Sequence, residues 1–173
     1  MKINKQSIVF SVIIALLAGI SALAQVNSFT DPNVAYEFEL PNDEWKLTVK
    51  PSATSPNVEY VHGGYRAEGH LEIRKIPVAK GALLADVVKD EEIKLQFRKG
   101  YVAGKEENFL GRLRGTIFNF EYAQEGKAMS GRFYFLRAND TTVYVLRFEG
   151  LDFKLRAIIN QTDSIARTFT VKR

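Results

Sequence analysis

Between Ile117 and Phe148, aromatic and aliphatic side chains alternate with polar ones across two turn sequences. This run constrains the fold more than any other part of the chain, because residues i and i+2 of a strand share a face. A two-residue turn at Glu125-Gly126 sets Tyr122 opposite Met129, Phe120 opposite Gly131 and Phe118 opposite Phe133. A second turn at Asn139-Asp140 sets Phe135 opposite Tyr144, Phe133 opposite Leu146 and Gly131 opposite Phe148. Both registers yield one aromatic face of Phe118, Phe120, Tyr122, Phe133, Phe135, Tyr144, Leu146 and Phe148. A one-residue slip would turn that set to the other side. Gly131 falls between Phe120 and Phe148, whose rings can cover its missing side chain. The reverse face is divided: Ile117, Tyr134, Leu136, Val143 and Val145 at one end, Asn119, Glu121, Arg132, Arg147 and Glu149 at the other. A sheet covered on both faces at one end and wet at the other fits this division.

The remaining segments supply helices and further strands. Gln25 to Pro32 reads as a loose leader, Ala35 to Leu40 and Trp45 to Val49 as strands, and Pro51 to Asn57 as loop. Gly63-Gly64 reads as a two-residue hairpin turn between Val58–His62 and Tyr65–Ile76, since glycine takes positive φ without steric cost. Leu84 to Lys99 carries Leu84, Val87, Val88 and Leu95 at helical spacing, with Gly100 as its cap. Gly104 to Asn108 reads as a polar turn. Asp152 opens a last helix bearing Leu155, Ile158, Ile159, Thr162, Ile165 and Phe169, which leads into a short closing strand at Thr168–Val171. That helix is the expected cover for the aromatic face. The expected fold class is α+β, an antiparallel sheet with helices packed on its faces.

Lys2 and Lys5 precede an apolar run from Ile8 to Gly19, and Ser21-Ala22-Leu23-Ala24 ends in the small-x-small pattern of a cleavage site. The run is shorter than the roughly 20 residues that span a bilayer. Residues 1–24 therefore read as a cleavable signal peptide and 25–173 as a single α+β domain, periplasmic or secreted, with no membrane insertion after cleavage. The chain has 24 Lys and Arg against 20 Asp and Glu. Two of the lysines lie in the leader, so the mature chain is near neutral and nucleic acid is not an expected partner. No cysteine is present, which excludes thiol catalysis, thiolate metal sites and redox exchange.

No GxSxG elbow, HExxH, phosphate loop or calcium loop occurs, and His62 and His70 are the two imidazoles. No catalytic residue is assigned. Two constellations remain. Arg132 and Arg147 would be cross-strand neighbours, with Glu121 and Glu149 diagonal to them, forming an anion or partner-docking patch suited to carboxylates and phosphates. With the Gly63-Gly64 turn, Glu59 faces Glu68, and His70 follows on the same face. Like charges opposite each other are unfavourable by about 0.2–1 kcal/mol. Arg66 relieves that repulsion in one reading, and a divalent metal held by Glu59, Glu68 and His70 in the other. No cofactor is expected, the metal being the minor alternative.

Three stretches together resemble a PsbP-like domain: Tyr36-Glu37-Phe38-Glu39-Leu40-Pro41 with Trp45, then Gly131-Arg132-Phe133-Tyr134 with Val143-Tyr144-Val145-Leu146, then Ile165-Ala166-Arg167-Thr168-Phe169. The resemblance implies an antiparallel sheet between helices (a PsbP-like α/β/α sandwich) and a role in binding or assembly. The family includes extrinsic photosystem subunits, a nuclear Ran-binding relative and exported bacterial proteins. It offers no catalytic residues to carry over. Some photosystem members associate with manganese or calcium, which adds weight to Glu59, Glu68 and His70. The sequence reading is thus an exported, non-catalytic binding or assembly-support module whose partner is another envelope or extracellular protein. A periplasmic protein binding a small ligand or divalent metal ranks second, and a hydrolase third.

Overall fold

A computed structural model describes residues 27–172, so the expected signal peptide lies outside the described residues. Among the described residues, two antiparallel sheets and three helices make an α+β architecture, as expected. Strands β1 (Asn27–Thr30), β2 (Tyr36–Leu40) and β10 (Thr170–Val171) form a small sheet in the order β1-β2-β10. The large sheet contains β3 (Trp45–Val49), β4 (Val58–His62), β5 (His70–Pro77), β6 (Val102–Leu110), β7 (Arg114–Gln124), β8 (Lys127–Asn139) and β9 (Thr142–Leu151). Its order is β3-β4-β5-β9-β8-β7-β6, which leaves β3 and β6 as edges. The helices are α1 (Leu84–Leu95), α2 (Asp152–Ala157) and α3 (Ile159–Thr168). No helix among the described residues is long and apolar enough to cross a membrane.

Two cores lie on opposite faces of the large sheet. On one face Val87, Val88 and Leu95 of α1 cover Phe118, Phe120, Tyr122, Phe133, Phe135, Val143 and Val145. On the other, the small sheet and α2–α3 bury Phe38, Phe169, Leu155 and Ile165 against Tyr134, Leu136, Tyr144, Leu146 and Phe148. Each large apolar side chain so buried contributes about 1.5–3 kcal/mol, so both layers are strongly held.

The first hairpin of the meander has the expected register, with Phe118 opposite Phe133 and Phe120 opposite Gly131. A Cβ on Gly131 would stand 2.1 Å from the Phe120 ring, which fills the place of the missing side chain. The second hairpin is offset by one residue. Asn139 pairs with Thr142, and a bulge between Arg137 and Asn139 puts Phe133 opposite Arg147 and Gly131 opposite Glu149. Asn139 Oδ1 accepts from the Thr141 amide at 2.9 Å and the Thr141 hydroxyl at 3.2 Å, fixing the later turn. Tyr144, Leu146 and Phe148 thereby face α3 instead of α1. The slip exposes nothing, because Val143 to Leu146 is apolar at every position and both faces are covered. The aromatic face is also covered by α1, not by the helix after Asp152.

Other departures are local. The expected loose leader contains β1, which pairs with β2 and buries Phe29. Gly63 and Gly64 do take positive φ, but turns from Tyr65 N to His62 O and from Glu68 N to Tyr65 O delay the return of the chain. Tyr60 then meets Leu71 and Val58 meets Ile73, apolar partners in place of the Ala67 and Gly69 that a two-residue turn would supply. Gly104–Asn108 belongs to β6, where a bulge between Ala103 and Glu106 absorbs the irregular sequence. Helix α1 stops at Leu95, short of Lys99. The final helix breaks at Ile158 (φ −108), and Asp152 is its first helical residue, not its cap.

Candidate functional site

The register of the β7–β8 hairpin puts Asn119 opposite Arg132 and Glu121 opposite Ser130. All four project toward α2 and α3. Edge strand β6 bounds them on one side, and the result is a groove of about 490 Å³ between β6–β8 and the two helices. Gly104 allows the wall to approach this closely, since a Cβ there would lie 2.6 Å from the Asn119 carbonyl oxygen.

Arg132 forms the floor and is buried. Its Nε donates to Tyr134 Oη at 2.7 Å, Nη1 to Asn119 Oδ1 at 2.8 Å and Nη2 to Asp163 Oδ1 at 2.9 Å. The Tyr134 hydroxyl donates in turn to Asp163 and lies 2.8 Å from Thr162 Oγ1. Burial drives the Tyr134 phenol above its ordinary range, so it stays neutral and remains a donor. This chain of charge-assisted bonds locks α3 onto the sheet. The rim is exposed by contrast. Arg156 bridges Glu121 and Asp152, both at 2.8 Å, from an exposed position. Val102 (58% exposed) and Ile159 (38% exposed) add apolar surface on either side.

The expected docking patch is divided by the one-residue slip. Arg132 pairs with Phe148 and Arg147 with Phe133, so the two arginines lie on opposite faces of the sheet. Glu121 stays on the groove face. Glu149 accompanies Arg147 beneath α1. There Glu149 receives Arg98 Nη1 at 2.7 Å and the Tyr122 hydroxyl at 2.9 Å. Burial raises the Glu149 carboxyl, but Arg98 and the Tyr122 bond outweigh it and hold it below the usual carboxylate range. Arg147 donates to Glu72 at 3.2 Å and lies over the Phe133 ring at 4.7 Å.

Of the three expected metal ligands, the structure brings two together. His70 Nε2 lies 2.9 Å from Glu59 Oε2, and Arg66 also pairs with Glu59. Glu68 turns away to Lys154 at 3.1 Å, because the longer loop sets Glu72 opposite Glu59 instead. Among the described residues no group of three or more His, Asp or Glu is placed to hold a metal ion. Sequence reasoning missed Asp163 and Arg98, which reach their partners across the fold and leave no local signal. Arg156 could have been found from its i,i+4 spacing to Asp152.

With the two sheets and their helices traced, the fold compares with solved structures. The chain shares 15% identity with cyanobacterial PsbP (CyanoP) of Synechocystis at a TM-score of 0.56, covering 88% of this chain and 96% of that one. The chain has a PsbP-like fold. The Ran-binding protein Mog1p of Saccharomyces cerevisiae has the same PsbP-like arrangement, with TM-score 0.59, 11% identity, and 84% and 95% of the two chains covered. So has LpqN of Mycobacterium tuberculosis, a protein involved in cell envelope biogenesis, with TM-score 0.56, 17% identity, and 86% and 92% covered. Neither a family model nor a curated protein matches the sequence.

Proposed function

We propose that this chain is an exported, non-catalytic binding or assembly-support module that docks a segment of another envelope or extracellular protein in the Arg132 groove. The observation that carries this reading is the union of a hydrogen-bonded polar floor with an exposed rim of Val102, Ile159 and Arg156 beside the exposed strand β6. Polar groups that are already fixed lose little entropy on binding, and apolar rim residues supply the area. Export rests on the leader sequence, and the absence of a catalytic constellation argues for binding over turnover. The fold relatives include one protein described by its binding to Ran and another by its part in envelope biogenesis, and both descriptions accord with such a role.

Site-specific photocrosslinking in the native envelope tests it. A crosslinker at Val102 and another at Ile159 should capture the same protein, and one at Lys46 on the far edge should not. Equal capture from all three positions would overturn the assignment of the groove.

A further inference from the structure

The second large groove lies where strand pairing stops inside the large sheet. Strand β4 ends with Val58 opposite Ile73, and Pro56 has no backbone N–H to extend the ladder. Hydrogen-bonded and non-bonded pairs alternate along antiparallel strands. Val78 N donates to Thr141 O at 2.9 Å, so the even-numbered residues of β5 direct their polar groups to β9. Lys75 therefore turns its N–H and C=O toward the side that β4 has vacated. This open edge faces the segment before β2 and encloses a groove of about 570 Å³ lined by Val34, Tyr36, Pro56, Asn57, Lys75 and Tyr144.

Two further features describe what would fit. Tyr36 meets Tyr144 edge to face at 5.3 Å on the wall, is 4% exposed, and its hydroxyl has no hydrogen-bond partner among the described residues. Burial pushes that phenol above its ordinary range, so it is a neutral donor lacking an acceptor. Glu72 on the rim is already taken by Arg74 and Arg147, whereas Lys75 is exposed and outside the ion pairs of the described residues.

We propose that this groove binds an extended peptide segment that continues the line of β4 along β5, with a carboxylate of the peptide against Lys75. Main-chain pairing at an open edge supplies affinity in such strand addition, and the flanking side chains supply selectivity. The site shares no lining residue with the Arg132 groove and stands independently of it.

The test is amide NMR of the mature chain titrated with two pools of acetylated random tetrapeptides, one ending in glutamate and one in lysine amide. The acidic pool should shift Lys75, Tyr36 and Asn57 saturably and at least ten-fold more tightly than the basic pool. Lys75→Glu should reverse that preference. Tyr36→Phe should raise the melting temperature by removing an unpaired buried group and leave the acidic-pool preference in place. Equal response to both pools, an unchanged preference in folded Lys75→Glu, or no saturable shift in wild type would overturn the proposal.

Discussion

Arg132 and Arg147 are buried to nearly the same degree, 8% and 9% exposed, one on each face of the large sheet. They are held very differently. Arg132 spends all three guanidinium nitrogens on side chains of β7, β8 and α3. Arg147 makes one side-chain hydrogen bond, at 3.2 Å, its Nε has no partner, and Glu149 stands 3.7 Å away. The acids near Arg147 also have other cations: Arg74 for Glu72 and Arg98 for Glu149. Burial alone therefore does not measure what an arginine contributes; the state of its partners after removal does. Arg132 is a tie whose loss leaves Asp163 without its cation, and Arg147 is a filler whose acids are already served.

Three substitutions can break or sharpen this contrast. Arg132→Met should have the largest effect, a loss of about 2 kcal/mol in urea unfolding, because half-buried Asp163 loses its cation and Asn119 and Tyr134 each lose a charged donor. An unchanged midpoint would place Arg132 among the inert pairs. Acid titration comes next. Because the Glu149 carboxyl is held below its unfolded value, its contribution is fully present above about pH 4.3 and is lost as pH falls through the depressed folded value. Glu149→Gln should therefore lower the melting temperature at pH 7 and flatten its fall below pH 4 relative to wild type. Arg147→Met should be the mildest, within about 1 kcal/mol of wild type, since an apolar side chain of similar length keeps the Phe133 contact. A loss as large as that of Arg132→Met would erase the distinction.

How much of this was legible follows from how local each signal was. The Glu125-Gly126 hairpin was readable because its turn residues and its alternating strands agree, and nothing intervenes between them. The next hairpin was not, because the bulge after Arg137 costs no hydrophobic burial in a strand apolar on both faces. Register arguments discriminate only where one face is wet. The expected docking patch inherited that error, since the relation of Arg132 to Arg147 depends on a single offset. Strand β6 was hidden for another reason: Lys105-Glu106-Glu107 resembles a loop, yet charge is what protects an exposed edge. Helix α1 was clear from its stripe, and its role as cover for the aromatic face was not, because periodicity does not name the surface it meets.

The small sheet sets the order in which the molecule can be completed. Strand β2 lies between β1 and β10, so Tyr36 pairs with Val171, and Lys172 donates to the Ala35 carbonyl at 3.0 Å. One side of β2 stays unpaired until residues 170–172 reach it. The most sequence-distant contacts are then the final ones to form, and closing so long a loop is slow. The two sides of β2 are thus closed by segments from opposite parts of the described residues, and neither sheet edge is complete without the other.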